Sequence, residues 1–336
     1  MSEILKVIKE WYKPLLETPN VTGVGTASKE IVITVSKVDA KTLANIPTQI
    51  EGIPVKIIQA GPFYMLQART DRWRPMVGGI SIGHYKITAG TLSCMVRDIR
   101  TGEVLLLSNN HVFAMQFSGY ELGEKGDPIL QPGPYDGGTL PNDKVGELER
   151  WIKVYLPSEV GQPGAGKGLN LIDAAVAKPT LPDIIKPTVL DIGRPVEPYD
   201  AKAGTKVRKS GRTTGLTYGT VVVDNFVVNV YIEKGSPLYY TFTDQLFIQP
   251  PPSQVFAQPG DSGSLTTLST TSNPVGLLFA GDEDGNGVVC KAKHIVTLLQ
   301  IEFLPPLPYI PIASAIASYS ATAGILQFII PRHRKI

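Results

Sequence analysis

The chain has 336 residues, enough for about two domains and a sizeable core. Hydrophobic residues make up 43% and charged residues 18%, which excludes a disordered chain, and a formal net charge of +2 without an arginine-rich stripe argues against a nucleic-acid partner. The two cysteines, Cys94 and Cys290, lie far apart and read as core thiols, so disulfides do not hold this fold; that suits a reducing compartment or a heat-adapted chain.

The N-terminal "MSEILKVIKEWYKPLLETPN" predicts an amphipathic helix. It lacks the apolar run and cleavage site of a signal peptide, so an intracellular location is expected. "GVGTASKEIVITVSK" predicts a hairpin ending in an alternating strand. "DAKTLANIPTQI" follows, with Asp39 as a cap, and "GIPVKIIQAG" reads as a further strand. Residues 1–75 therefore form a small α/β domain, closed by the charged, Pro- and Gly-containing "ARTDRWRPMVGG". From 76 to 302 the texture changes to short β-branched runs between turns, among them "YKITAGTLSCMV", "EVLLLSNN", "GTVVVDNFVVNVYIEK" and "VGLLFAGD". Many short strands punctuated by turns predict a sandwich or a pair of barrels. Helical periodicity returns only in "KAKHIVTLLQIEF", and residues 303–336 form an apolar tail. No internal repeat is present.

One stretch in this β region carries chemistry. In "QPGDSGSLTTL" an acid and Ser262 sit between two glycines, just before a strand. A serine hydroxyl is a weak nucleophile unless a base takes its proton and a third group orients that base. His111 ends a β run and enters a turn in "EVLLLSNNHVFA". Asp173 lies inside the apolar "LNLIDAAVAKP", where a charge is costly without a partner. The chain order His, Asp, Ser differs from the subtilisin and α/β-hydrolase orders. The hydrolase elbow also needs a second glycine where Ser264 stands.

These motifs, with "KSGRTTGLTYGTV" at 209–221, resemble the trypsin/chymotrypsin-like serine peptidases, nearest to the bacterial alpha-lytic and streptogrisin branch. The resemblance spans roughly 78–300. It implies two antiparallel Greek-key β-barrels with the site between them, preceded here by the small α/β domain. It further implies a serine endopeptidase acting on polypeptides through an acyl-enzyme, with no cofactor. Ser262 would be the nucleophile, His111 the base and Asp173 the orienting acid. The backbone N–H groups of Gly260 and Ser262 would form the oxyanion hole. Phe256, Ala257, Leu278 and Ala280 would wall the pocket for the residue before the cut, with Gly281 pairing to the substrate backbone. No acid occupies 254–259, so an apolar preference is expected, with Asp282 or Asp284 as the competing source of a cation preference. Several positions depart from the family pattern. Asn110 and Val112 flank the histidine where the family has cysteines, "SNN" replaces its small residues, and Phe279 stands where it has a serine bonded to the acid. The alternative is a non-catalytic relative serving as a peptide-binding or scaffolding module.

Other motifs weigh less. "GQPGAGKG", 161–168, imitates a phosphate loop but has Gly168 where Ser or Thr must bind magnesium. "GDEDGNG", 281–287, reads as a hairpin turn, and no zinc spacing occurs. By the same resemblance, residues 1–75 match the place of a pro-region, with "RPMVGGISIG" as a processing junction and a mature start near Gly78 or Gly79; a permanently attached accessory domain is the alternative. The uncharged run 310–330 is long enough for a membrane anchor, and a buried or self-associating tail explains it equally well.

Overall fold

The computed structural model of the chain describes residues 3–63, 67–87, 89–116, 122–159, 169–181 and 184–303. The tail run 310–330 and the phosphate-loop lookalike 161–168 lie outside the described residues. The chain divides into two compact units between Gln67 and Ala68, upstream of the boundary at 75 expected from composition.

The first unit packs the helix Glu3–Leu16 with a four-stranded sheet. Ile31, Ile33 and Val35 alternate inward along the strand Glu30–Val35, and Val7 and Leu15 of the helix join their cluster. This is the period-two pattern of a half-buried strand. Asp39 caps the short helix Ala40–Ala44 by accepting from the Thr42 N–H at 2.8 Å.

The second unit is built mainly from two curled, largely antiparallel sheets. In the first, the run from Gly90 to Asp98 pairs with Ser81–His84 at its start and with Val104–Ser108 at its end, so the sheet curls back on itself. In the second, Lys206–Gly211, Gly215–Tyr231 and Tyr239–Gln249 follow as hairpins. Leu265–Leu268 then returns beside Lys206–Gly211, which is a Greek-key order. Pairing of Tyr239–Gln249 with Gly287–Lys291 closes this sheet into a barrel. The expected pair of β-barrels is the architecture the chain adopts. The only described helix longer than one turn in this unit is Ala292–Leu299, where periodicity placed it. Phe303 ends the strand Ile301–Phe303 within the first sheet, so it belongs to the barrel and not to the tail.

Residues 68–79 also belong to this unit. Arg69 donates to the Gly79 carbonyl and Ser210 Oγ, each at 2.8 Å, and the Trp73 N–H and Arg74 guanidinium both bond Gln131. Met76–Gly78 is a fully buried strand parallel to Ile185–Val189. The Gly79 N–H bonds the Leu92 carbonyl at 2.7 Å, and a Cβ on Gly78 would lie 2.2 Å from the Ser93 carbonyl oxygen. A chain start at Gly78 or Gly79 would sever a buried strand, which argues against the processing junction expected there. The exposed connection lies upstream, around Gly61 to Phe63.

Candidate active site

The strand Val104–Ser108 ends at Asn109, whose extended backbone and carbonyl start the short helix Asn110–Phe113. Val112 and Phe113 turn into the core of the first barrel, which leaves the neighbouring His111 side chain at the surface of the cleft, 18% exposed. Asp173 precedes the strand Ala175–Pro179, and its flanking residues Ile172 and Ala174 are buried in the core. Its own side chain is fully buried. His111 Nδ1 meets Asp173 Oδ2 at 2.5 Å, and the His111 N–H donates to Oδ1 at 3.2 Å. A carboxylate on Nδ1 fixes the tautomer with the proton on Nδ1 and the lone pair on Nε2.

Ser262 lies in a turn framed by Gly260 and Gly263, each with φ of +93°, a conformation that an L side chain rarely adopts. Space forbids a side chain there as well. A Cβ on Gly263 would approach the Thr91 carbonyl oxygen to 2.2 Å, and one on Gly260 would approach Thr213 Oγ1 to 2.5 Å. The Ser262 carbonyl accepts from the Thr91 N–H at 2.7 Å. At the adjacent Gly90, a Cβ would sit 2.5 Å from Val112 and 3.1 Å from the Ser262 carbonyl oxygen. The segments carrying His111 and Ser262 thus come together across Gly90. Thr91 Oγ1 donates to the Gly260 carbonyl at 2.9 Å and fixes that peptide. Among the described residues, no acceptor takes the N–H of Gly260 or of Ser262.

Asp261 is the residue that holds this turn. It is fully buried and accepts from Lys209 Nζ at 3.1 Å, Thr214 Oγ1 at 2.6 Å and the N–H groups of Gln258, Thr213 and Thr214. Lys209 is fully buried too, and burial pushes its pKa down against the opposing pull of Asp261. This pair ties the "KSGRTTG" hairpin to the "GDSG" turn. Sequence reasoning missed it, although two charges in otherwise apolar β segments were the available signal. Arg212 adds a forked ion pair to Asp136.

Ser262 opens onto a cavity of about 600 Å³ walled by Ala257, Leu278, Ala280 and Gly281. Phe256, expected among them, is elsewhere. Side chains alternate at this point, and its ring turns into the core of the second barrel, where a Cβ on Gly287 would touch it at 2.6 Å. A second cavity of about 740 Å³, walled by Phe226, Val228, Val230 and Phe247, shares Ala280, Gly281, Asp282 and Lys234 with the first. Asp282 is engaged within its own turn, accepting from the Asp284 and Asn286 N–H groups and from Asn286 Nδ2. Glu283 is paired with Lys234. Phe279 is buried with its ring centroid 4.6 Å from that of Phe242, so it is a core residue and offers Asp173 no hydrogen bond. Cys94 and Cys290 are free and buried, which pushes both thiols up to about 12.

Another histidine–carboxylate pair differs in kind. His84 is fully buried, accepts the Lys86 N–H on Nδ1 and meets Asp127 through Nε2 at 3.0 Å. Burial lowers its pKa. Both ring nitrogens are occupied, so it has no free base.

No family model and no curated protein matches the chain. Solved structures similar to it are chymotrypsin-like bacterial serine proteases. Thermobifida fusca protease A is 16% identical over 68% of this chain and 98% of its own, with a TM-score of 0.46. A Nocardiopsis protease is 17% identical over 67% and 97%, at 0.46. An alpha-lytic protease homologue, N4, is 16% identical over 68% and 99%, at 0.46.

Proposed function

We propose that the chain is a serine endopeptidase that hydrolyses peptide bonds through an acyl-enzyme. The observation that carries this reading is a buried carboxylate bonded to Nδ1 of His111, adjoining a glycine-framed serine turn with two N–H groups that no acceptor takes among the described residues. His111 Nε2 takes the proton of Ser262 Oγ as that oxygen attacks the substrate carbonyl. Charge develops on the carbonyl oxygen, and the N–H groups of Gly260 and Ser262 receive it; removing one such donor typically costs about 3 to 4 kcal/mol of barrier. The imidazolium, stabilised by Asp173, then protonates the leaving amine. Water attacks the acyl-enzyme in the reverse proton sequence.

The substrate chain pairs with Phe279–Gly281. Leu278 is still bonded through its carbonyl to the Gly263 N–H and through its N–H to the Ser264 carbonyl, and beyond it this edge is open for an added strand. The residue before the cut enters the cavity walled by Ala257, Leu278 and Ala280. Labelling by a fluorophosphonate tests the reading, because it needs both an activated serine and an open oxyanion hole. Wild type should label, whereas Ser262→Ala and His111→Ala should not, and kcat should fall by up to about 10⁶-fold in either variant. Labelling that persists in Ser262→Ala would refute the assignment. A wild-type chain that binds peptides without labelling would be a binding module instead.

A further inference from the structure

We propose that Asn109 is a positioning residue that clamps the peptide unit of Asp173 to the turn carrying His111. For its catalytic consequence this rests on the peptidase reading; the clamp itself rests on geometry alone. The Asn109 side chain is fully buried, and its Nδ2 donates to the Asp173 carbonyl at 2.7 Å. Its backbone carbonyl accepts the N–H groups of Val112 at 3.2 Å and Phe113 at 3.0 Å, which is the first turn around His111. One residue is therefore bonded to both halves of the pair.

The pair depends on such a bond. Among the described residues, the Asp173 carboxylate accepts only from His111, through its backbone N–H and its ring Nδ1. No third donor selects its rotamer. Cys290, on the strand Gly287–Lys291, directs its thiol to the carbonyl oxygens of Leu277 and Asp173 and not to the Asp173 carboxylate. Whether the two oxygens meet His111 is therefore decided by where the backbone of residue 173 lies relative to residue 111. The Asn109 amide sets that distance.

The other half of the same amide supports this role. Asn109 Oδ1 is buried with no hydrogen-bond partner among the described residues. A half-satisfied buried amide costs stability. What the amide contributes is position. The adjacent Asn110 contrasts with it: its Nδ2 bonds Gln116 and the Ile152 carbonyl and never reaches Asp173.

The test uses the full chain with Asn109→Leu, Asn109→Ala and, as comparison, Asn110→Ala. The first readout is the low-field proton resonance of the His111 Nδ1–H, identified by its loss in His111→Gln. The second is kcat and KM on a p-nitroanilide tetrapeptide ending in leucine, with the fluorophosphonate labelling rate beside it. Both Asn109 variants should lose or broaden the resonance while Asn110→Ala keeps it. They should also lower kcat about 10- to 100-fold at little-changed KM, the scale expected of a misplacement near 1 Å. The Leu variant, which leaves the Asp173 carbonyl without its amide donor, should melt below wild type yet in one cooperative transition above the assay temperature, which keeps the result separate from unfolding. Retention of the resonance and of kcat in either folded Asn109 variant would overturn the proposal. So would equal loss of the resonance in Asn110→Ala. If the wild type neither cleaves nor labels, the peptidase reading falls, and the proton resonance alone decides the clamp.

Discussion

Lys209→Met separates the charge that holds the serine turn from the packing around it. The substitution keeps the apolar stem and removes the ammonium, which leaves the Asp261 carboxylate in a fully buried place. Breaking a buried ion pair from one side costs about 3 to 5 kcal/mol, chiefly because the other charge stays behind uncompensated. Here Asp261 keeps Thr214 Oγ1 and the N–H groups of Gln258, Thr213 and Thr214, so the expected cost is near the lower end, about 3 kcal/mol. The described part of the unit that unfolds spans residues 68–303. At roughly 2 to 4 °C per kcal/mol for a domain approaching this size, Tm should fall by about 6 to 12 °C. Adding Asp261→Asn removes the orphaned charge and keeps an oxygen for the N–H donors. The double variant should therefore recover part of the loss, a coupling of order 1 kcal/mol or more between contacting residues. Calorimetry on the full chain at pH 7 measures both variants. A Lys209→Met melting point within about 2 °C of wild type, under the same scaling, would refute the reasoning. So would a double variant less stable than the single.

Three further outcomes are expected. The Arg100 fork, reinforced by Arg150 at 2.7 Å, holds the Asp98 carboxyl well below the usual carboxylate range. Its folded pKa is depressed, so its stabilisation is complete above the unfolded carboxyl value of about 4 and is lost as pH falls toward the folded value; Asp98→Asn should flatten Tm against pH in that acid window, and an unchanged slope would sink the idea. Limited proteolysis should cut first between about 60 and 67 and spare 68–79, because Arg69, Trp73 and Arg74 are tied into the barrels; first cuts within 68–79 would show the boundary misplaced. Cleavage of a peptide library should favour an apolar residue before the cut, and dominance of Lys or Arg there would overturn the assignment of the cavity walls.

The parts of the fold that follow from local chemistry were legible in the sequence. Alternation along Glu30–Val35, the Asp39 cap and the late helix Ala292–Leu299 need only nearby residues, and each lies where pattern places it. The candidate site was legible for another reason. Gly260 and Gly263 are required by φ values that side chains rarely adopt, so "GDSG" marks its turn in the sequence itself. What the sequence hid is long-range. The Lys209–Asp261 pair joins residues 52 apart, and the Asn109–Asp173 bond joins residues 64 apart. The boundary at 67 was hidden because "ARTDRWRPMVGG" has the composition of a linker. Its arginines find buried carbonyl and amide partners that only the folded barrel supplies. Phe256 was misplaced by counting it along with Ala257 on a segment whose side chains alternate between core and cavity.

The two acids beside the candidate nucleophile are treated in opposite ways, and the difference fits their proposed work. Asp261 accepts five hydrogen bonds, from Lys209, Thr214 Oγ1 and three backbone N–H groups. Its charge is neutralised at short range, so it contributes shape and little outward field. Asp173 is equally buried, yet among the described residues its carboxylate accepts only from His111. Each additional donor on a carboxylate would stabilise its charge before the reaction and reduce what it gains when the imidazole becomes cationic. With no further donor on Asp173 among the described residues, that gain is concentrated on the one group expected to change charge. The same economy makes the pair sensitive to backbone position, since two bonds to a single residue supply no independent anchor. A site with a sparsely bonded Asp173 therefore needs its rigidity from elsewhere, and the buried amide of Asn109 together with the saturated Asp261 turn supply it on either side of the cleft.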